Sequence, residues 1–181
     1  MNFYISDTHF GHINIMHHCN RKFKNVEEMD DFIIKNWNNV VSKDDNVYFL
    51  GDFTMKSRKN PKEYLDKLNG HKHLIVGNHD SFILKNPDCR KCFDNITKEA
   101  LKIRDGEYTI ILYHFPMVEW DGYFQNVLHF YGHVHNNVEN LTYSLLKQIP
   151  NAYNVGADIL EFTPRTVKEV IELNKKFFKE N

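Results

Sequence analysis

His73-Leu74-Ile75-Val76-Gly77-Asn78-His79-Asp80 governs how the rest of this chain is read. Its first half is a mostly apolar run that reads as a buried strand. Its second half places Asn, His and Asp at that strand's C-terminal end, where open α/β sheets build their sites. The same layout recurs in both directions along the chain. Asp7-Thr8-His9 follows Phe3-Tyr4-Ile5, and Gly51-Asp52 follows Val47-Tyr48-Phe49-Leu50. His114 follows Ile110-Ile111-Leu112-Tyr113, and Gly132-His133-Val134-His135 follows Val127-Leu128-His129-Phe130-Tyr131. Five strand-like runs thus end in Asp, Asn or His. That is the layout of a two-metal centre.

The remaining pattern supports an α/β fold. Ala152-Tyr153-Asn154-Val155 is a further strand candidate, and Ile96 to Ile103 a weaker one. Val26, Met29, Ile33, Trp37 and Val40 recur at steps of three and four, which predicts an amphipathic helix. Asn25 is placed to cap its start, with Glu28 in the capping-box position. A second helix is expected from Pro61 to Leu68, stopping near Gly70. A third is expected at the C-terminus, where Thr166 and Glu169 form a capping-box pattern and Val167, Val170, Ile171 and Phe177 form the stripe. Ser81 to Cys92 reads as helix plus loop, interrupted by Pro87. Alternating strands and helices at the start predict right-handed parallel crossovers. Shorter links between the later strands predict antiparallel pairing. The whole reads as a two-sheet α/β sandwich, mixed in strand direction, with helices outside.

With 181 residues the chain is expected to form a single domain, 1–181, with 41% apolar and 26% charged residues. Its formal net charge of −1 supplies no global basic field for long nucleic acid. No apolar run approaches a membrane span, and Met1 leads into a strand rather than a signal peptide, so a cytoplasmic location is expected. Of the three cysteines, Cys89 and Cys92 have zinc-like spacing but no second ligand pair; reduced thiols are the expectation.

Taken in order, D-x-H, G-D, G-N-H-D, a lone His and G-H-x-H resemble the motifs of the calcineurin-like metallophosphoesterases. Residues 7 to 135 carry them, every motif is complete, and no added cap domain is expected. The resemblance implies the αββα sandwich of that family and a binuclear centre. It assigns Asp7, His9, Asp52 and His135 to one metal and Asp52, Asn78, His114 and His133 to the other. His79 is implied as general acid, with Asp80 orienting its ring.

Those residue types suit the chemistry. Hydrolysis of a phosphate ester at neutral pH needs a strong oxygen nucleophile and relief of phosphoryl charge. Two divalent ions roughly 3.5–4 Å apart supply both, with a bridging hydroxide as nucleophile. Asp52, after a tight Gly at a strand end, is the candidate bridging carboxylate. A mixed N/O ligand set without thiolate suits Mn first, with Fe, Co, Ni or Zn also compatible.

Other residues carry weaker expectations. His12 shares a loop with two ligand candidates and is placed to touch substrate or support the ligands. Arg21 and Arg58 could each clamp a phosphate, against a default surface role. Trp120, in the aromatic loop Phe115 to Phe124, could stack a nucleobase over the metals, against a default packing role. His17, His18, His71, His73 and His129 read as surface or structural. The function expected is hydrolysis of small phosphodiesters or nucleotides, diesters being favoured because no basic cluster for a terminal dianion is evident. A non-catalytic scaffold on the same fold and a nuclease acting on polymeric nucleic acid are the alternatives.

Overall fold

The structure, a computed structural model, describes residues 1–180. The elements in order are β1 (Asn2–Ile5), α1 (Ile13–His18), α2 (Val26–Val40), β2 (Asn46–Phe49), α3 (Pro61–Leu65), β3 (His71–Ile75), α4 (Ser81–Lys85) and α5 (Pro87–Arg90). They continue with β4 (Asn95–Thr97), β5 (Leu101–Asp105), β6 (Tyr108–Leu112), β7 (Leu128–Tyr131), α6 (Leu141–Leu146), β8 (Ala152–Asn154) and α7 (Val167–Glu180). Strands β1 to β4 form an all-parallel sheet in chain order, and β5 to β8 form a second sheet, also in chain order.

The layers follow from the two-residue period of the strands. Phe3, Ile5, Val47, Phe49 and Leu74 face the helices, packing with Met29, Ile33 and Trp37 of α2. Tyr4, Leu50 and Ile75 point the other way and meet Ile110, Leu112, Leu128 and Phe130 between the sheets. Ile111, Tyr131 and Ala152 form the outer face of the second sheet, covered by Trp120, Val127 and Leu146. The result is the expected two-sheet sandwich with helices outside. Among the described residues, no helix is long and apolar enough to cross a membrane.

Several elements differ from expectation. Only β5 and β6 are antiparallel in the second sheet; β6–β7 and β7–β8 are parallel. Segments 113–127 and 132–151 are long enough for crossovers, which a parallel pair requires. The run from Ile96 to Ile103 is not one strand: the chain leaves the first sheet at β4 and enters the second at β5. Helix α1 has no stripe that reveals it, and α2's stripe ends in an exposed Val40 followed by a buried Val41. Asn25 Oδ1 does accept from the Glu28 N–H at 2.8 Å, and Pro87 opens α5.

One join between the sheets matters for the site. Ser6 N–H donates to Val155 O at 2.8 Å, and Ala157 N–H donates to Ser6 O at 2.9 Å. The chain after β1 therefore runs beside the chain after β8, with the loops of both sheets on one edge.

Candidate metal centre

Each candidate side chain emerges where a strand has just ended and the backbone turns sharply. Asp7, His9, Asp52, His133 and His135 all have positive φ, between 50° and 71°. For residues with a Cβ this conformation is costly and persists only where the surroundings enforce it, as at ligand and catalytic sites. The loops are tied to one another: Asp7 N–H donates to Gly51 O at 2.9 Å, and His9 N–H to Asp52 O at 3.1 Å. Two motif glycines permit the crowding. A Cβ on Gly77 would lie 2.4 Å from Asp52 Oδ1, and one on Gly132 would lie 2.4 Å from Asp7 Oδ2.

Two clusters of the strand-end residues result, Asp7/His9/His135 and Asp52/His114/His133, each with ligand atoms within 4.8 Å of one another, and a third group, Cys19/His135/Asp158, shares His135. Asp52 links the first two. Its Oδ2 lies 3.7 Å from His9 Nε2, 3.6 Å from His114 Nε2 and 3.9 Å from His79 Nε2, while its Oδ1 accepts the His79 N–H at 2.8 Å. Asn78 Oδ1 lies 3.0 Å from both His114 Nε2 and His133 Nδ1. Asp7 Oδ2 is held by Ser6 Oγ and by the His133 N–H, leaving Oδ1 turned toward His9 and His135 at 4.0 Å.

The donor atoms fit a metal. Asp7 Oδ1 and both ring nitrogens of His9 are buried and have no hydrogen-bond partner. An orphaned buried acceptor is costly, so a carboxylate oxygen and an imidazole left bare beside each other suit a cation. Burial, with His135 and Arg21 adding repulsion, pushes the His9 imidazole down to about 2, the neutral form a metal ligand requires. Burial also raises Asp52, partly offset by His114 and reinforced by the nearby Asp7 charge.

Second-layer contacts orient these ligands. His114 Nδ1 donates to Leu50 O at 2.6 Å, which turns Nε2 toward Asp52. His135 Nδ1 donates to Asp158 Oδ2 at 3.0 Å, which turns its Nε2 toward Asp7. Burial alone would lower His135, but the bond to Asp158, a contact with Cys19 and the Asp7 charge push it up to about 11. Asp158 was not expected from sequence. It follows β8 as the other acids follow their strands, so the same end-of-strand reading, carried one strand further, would have found it.

Two expectations need correction, for Asp80 and Arg21, while Trp120 and Arg58 take their default packing and surface roles and not the substrate contacts considered for them. Asp80 does not touch the His79 ring: its oxygens accept the N–H groups of Gly77 at 2.7 Å and of Asp52 and Phe53 at 3.0 Å. It pins the loops together because three backbone donors in a buried turn need acceptors. Burial raises its carboxyl, against the pull of those donors. Arg21 is buried and binds Asp158 with two hydrogen bonds, so it has no free fork for a phosphate. Trp120 is buried, its indole N–H donating to Val127 O at 2.9 Å. Arg58 is exposed and is not among the residues lining the openings beside the clusters.

A groove of about 870 Å³ lies over the clusters, lined by His9, His12, His79, Phe115, His133 and His135 among others. His79 is about one-third exposed there, unlike the buried His9 imidazole beside it. His12 is buried with an unpaired Nδ1, its ring 5.6 Å from that of His9. Phe115, which the sequence pattern did not single out, lies with its ring 4.6 Å from His133. His129 is structural: its Nε2 accepts the Met117 N–H and its Nδ1 bonds Ile111 O. Cys89 and Cys92 are free thiols outside every candidate metal cluster.

No model of a known protein family matches the chain. The crystal structure of AQ665 from Aquifex aeolicus, a protein of unknown function, matches at 29% identity and a TM-score of 0.75, over 96% of this chain and 98% of that one. Gene 66 protein of Mycobacterium phage L5 is 35% identical over 132 residues, 64% of this chain and 63% of the phage protein. The uncharacterized protein MJ1445 of Methanocaldococcus jannaschii is 36% identical over 178 residues, 95% of this chain and 90% of the archaeal one. The chain belongs to the same family as MJ1445.

Proposed function

We propose that this chain is a single-domain, metal-dependent phosphoester hydrolase of the calcineurin-like metallophosphoesterase type, acting on small phosphodiesters or nucleotides in the cytoplasm. The observation that carries this reading is the pair of Asp/His clusters linked through Asp52, with bare buried donor atoms on Asp7 and His9. Asp7, His9, Asp52 and His135 would hold one divalent ion, and Asp52, Asn78, His114 and His133 the other, with Mn the first candidate. Bound ions would neutralise the phosphoryl oxygens and supply an activated water.

The protein's own groups do the rest. His79 borders the groove, held by its N–H bond to Asp52, and can deliver a proton to the departing ester oxygen. Asn78 Oδ1 lies 3.0 Å from both His114 Nε2 and His133 Nδ1, so the three would converge on the second ion. Phe115 offers an apolar face next to His133 on which a nucleobase can stack.

Metal analysis of purified protein after anaerobic loading tests the reading. Two divalent ions per chain are expected, with Asp52→Asn losing metal. His79→Gln should keep both ions and lose about 10²–10⁴-fold in turnover, the usual span for a general acid. Full turnover by His79→Gln on an alkyl ester would remove the acid role.

A further inference from the structure

A second opening adjoins the groove at His79. It is a cavity of about 300 Å³ lined by Lys56, Ser57, Lys59 and Ser81 together with Asn78 and His79. His79, Met55 and Lys56 line both openings. One wall comes from Thr54, Met55, Lys56, Ser57 and Lys59, which bring two cations and no carboxylate. Lys56 has no ion pair among the described residues, whereas Lys62, Lys91 and Lys102 are paired with Asp66, Asp88 and Asp121. Lys56 is also held at a φ of 51°. A long side chain in the left-handed region is costly, and such strain collects at ligand clamps. Both ends of the loop are fixed: Thr54 bridges to Phe10, and Asn60 caps α3. A short basic loop is thus folded beside His79, where the sequence reading counted no basic cluster.

We propose that this cavity is a subsite for a second anionic group of the substrate, a phosphate carried by the leaving group. The proposal rests on the phosphoester-hydrolase reading of the adjoining centre. Lysine ammonium groups bind phosphate through charge-assisted hydrogen bonds; Lys56, without an ion pair, keeps its field for a ligand, and Lys59, its ammonium 5.7 Å from the Tyr64 ring centroid and acting on Asp30, supports it. An acid that protonates the leaving oxygen must lie on the leaving-group side, and the basic cavity opens beside His79. In the reaction the oxygen of water bonds phosphorus, releasing a proton to solvent, and the bond from phosphorus to the ester oxygen breaks. The His79 proton goes to that oxygen, and the departing alcohol leaves with its own phosphate against Lys56 and Lys59. The cavity's size suits a phosphate on a short linker, and the net charge of −1 gives no extended track for a polymer. The substrate class is therefore a small ester carrying two phosphoryl groups.

Calorimetric titration of the full-length, chelator-stripped protein with pyrophosphate, at low and fixed ionic strength, tests the subsite apart from the metals. Wild type and Lys175→Ala, on the C-terminal helix, should bind alike. Lys56→Ala/Lys59→Ala should bind about 10–100-fold more weakly, the loss expected for charge-assisted contacts. No binding by wild type, or equal binding by the double variant, overturns the subsite. Turnover by the metal-loaded enzyme separates the two claims. Cleavage of bis(p-nitrophenyl) phosphate, with no gain in kcat/KM from a second phosphate on an ester's leaving group, overturns the subsite and leaves the hydrolase reading standing. Pyrophosphate binding that needs both lysines, with no phosphoester cleaved, overturns the hydrolase reading and the leaving-group role with it.

Discussion

Arg21 and Asp158, 137 positions apart, are joined by hydrogen bonds of 2.7 Å from Nε and 2.9 Å from Nη2, both side chains almost wholly buried. Arg21 also donates to the carbonyls of Asp7 and Thr8 at 2.8 Å, and Asp158 accepts from His135 Nδ1 at 3.0 Å. The pair therefore ties the first ligand loop to the last. Burial would raise the Asp158 carboxyl, but the Arg21 charge and the His135 bond hold it well below the usual carboxylate range.

Asp158→Asn keeps the shape and removes the charge that orients His135. Metal affinity at the Asp7/His9/His135 cluster should fall about 10–100-fold, as for other partners behind metal-bound imidazoles. Titration calorimetry with Mn²⁺ should show one weakened site beside one of wild-type affinity. Two unchanged sites would make the Arg21–Asp158 pair a structural tie only.

Asp80→Ala separates a scaffold role from a direct role in proton transfer. Three backbone N–H groups would lose their acceptor, at about 1–3 kcal/mol for each one left unsatisfied. The melting temperature and metal content should fall together. A variant with normal stability and metal content, impaired only in turnover, would return Asp80 to the chemistry.

Trp120 and Phe115 should behave differently. Trp120→Ala empties a buried site and should destabilise the fold by about 3–5 kcal/mol in denaturant unfolding. Phe115→Ala should leave stability nearly unchanged and raise KM for nucleoside phosphoesters about tenfold, near the lower end of base-stacking losses. Equal KM for wild type and Phe115→Ala on such esters would remove the stacking role.

His129 gives a pH signature independent of metal. Burial pushes it down to about 4, with its bonds to Ile111 and the Phe115 backbone opposing. The unfolded chain, with an ordinary imidazole near 6.5, takes up this proton first as pH falls. Stability from this residue is therefore full above about pH 6.5 and lost progressively down to about pH 4, roughly 3 kcal/mol in all. Urea unfolding across this range should show a shallower slope for His129→Gln, which keeps a donor and an acceptor. Identical slopes would mean that His129 is not the group responsible.

The strand ends were legible because buried parallel strands are short apolar runs, and residues following such runs fall on one edge. That rule located Asp7, His9, Asp52, Asn78, His79, His114, His133 and His135 together. It did not reveal partners set by long-range packing. Arg21 looks like a surface cation until the fold places Asp158 against it, and Asp80 looks like a partner for its neighbour until backbone donors converge on it. Trp120 and Phe115 sit in one aromatic loop, and only packing against Val127 and His129 decides which is buried. Parallel pairing of β6, β7 and β8 was hidden because their connections contain little regular helix.

Turnover of bis(p-nitrophenyl) phosphate by chelator-stripped protein, before and after adding back Mn²⁺, tests the central claim most directly. The account predicts no hydrolysis without metal, hydrolysis that saturates near two equivalents per chain, and no recovery in Asp52→Asn. Two tightly bound ions with no turnover of this or any other phosphoester would contradict it, leaving a metal-binding scaffold in place of an enzyme.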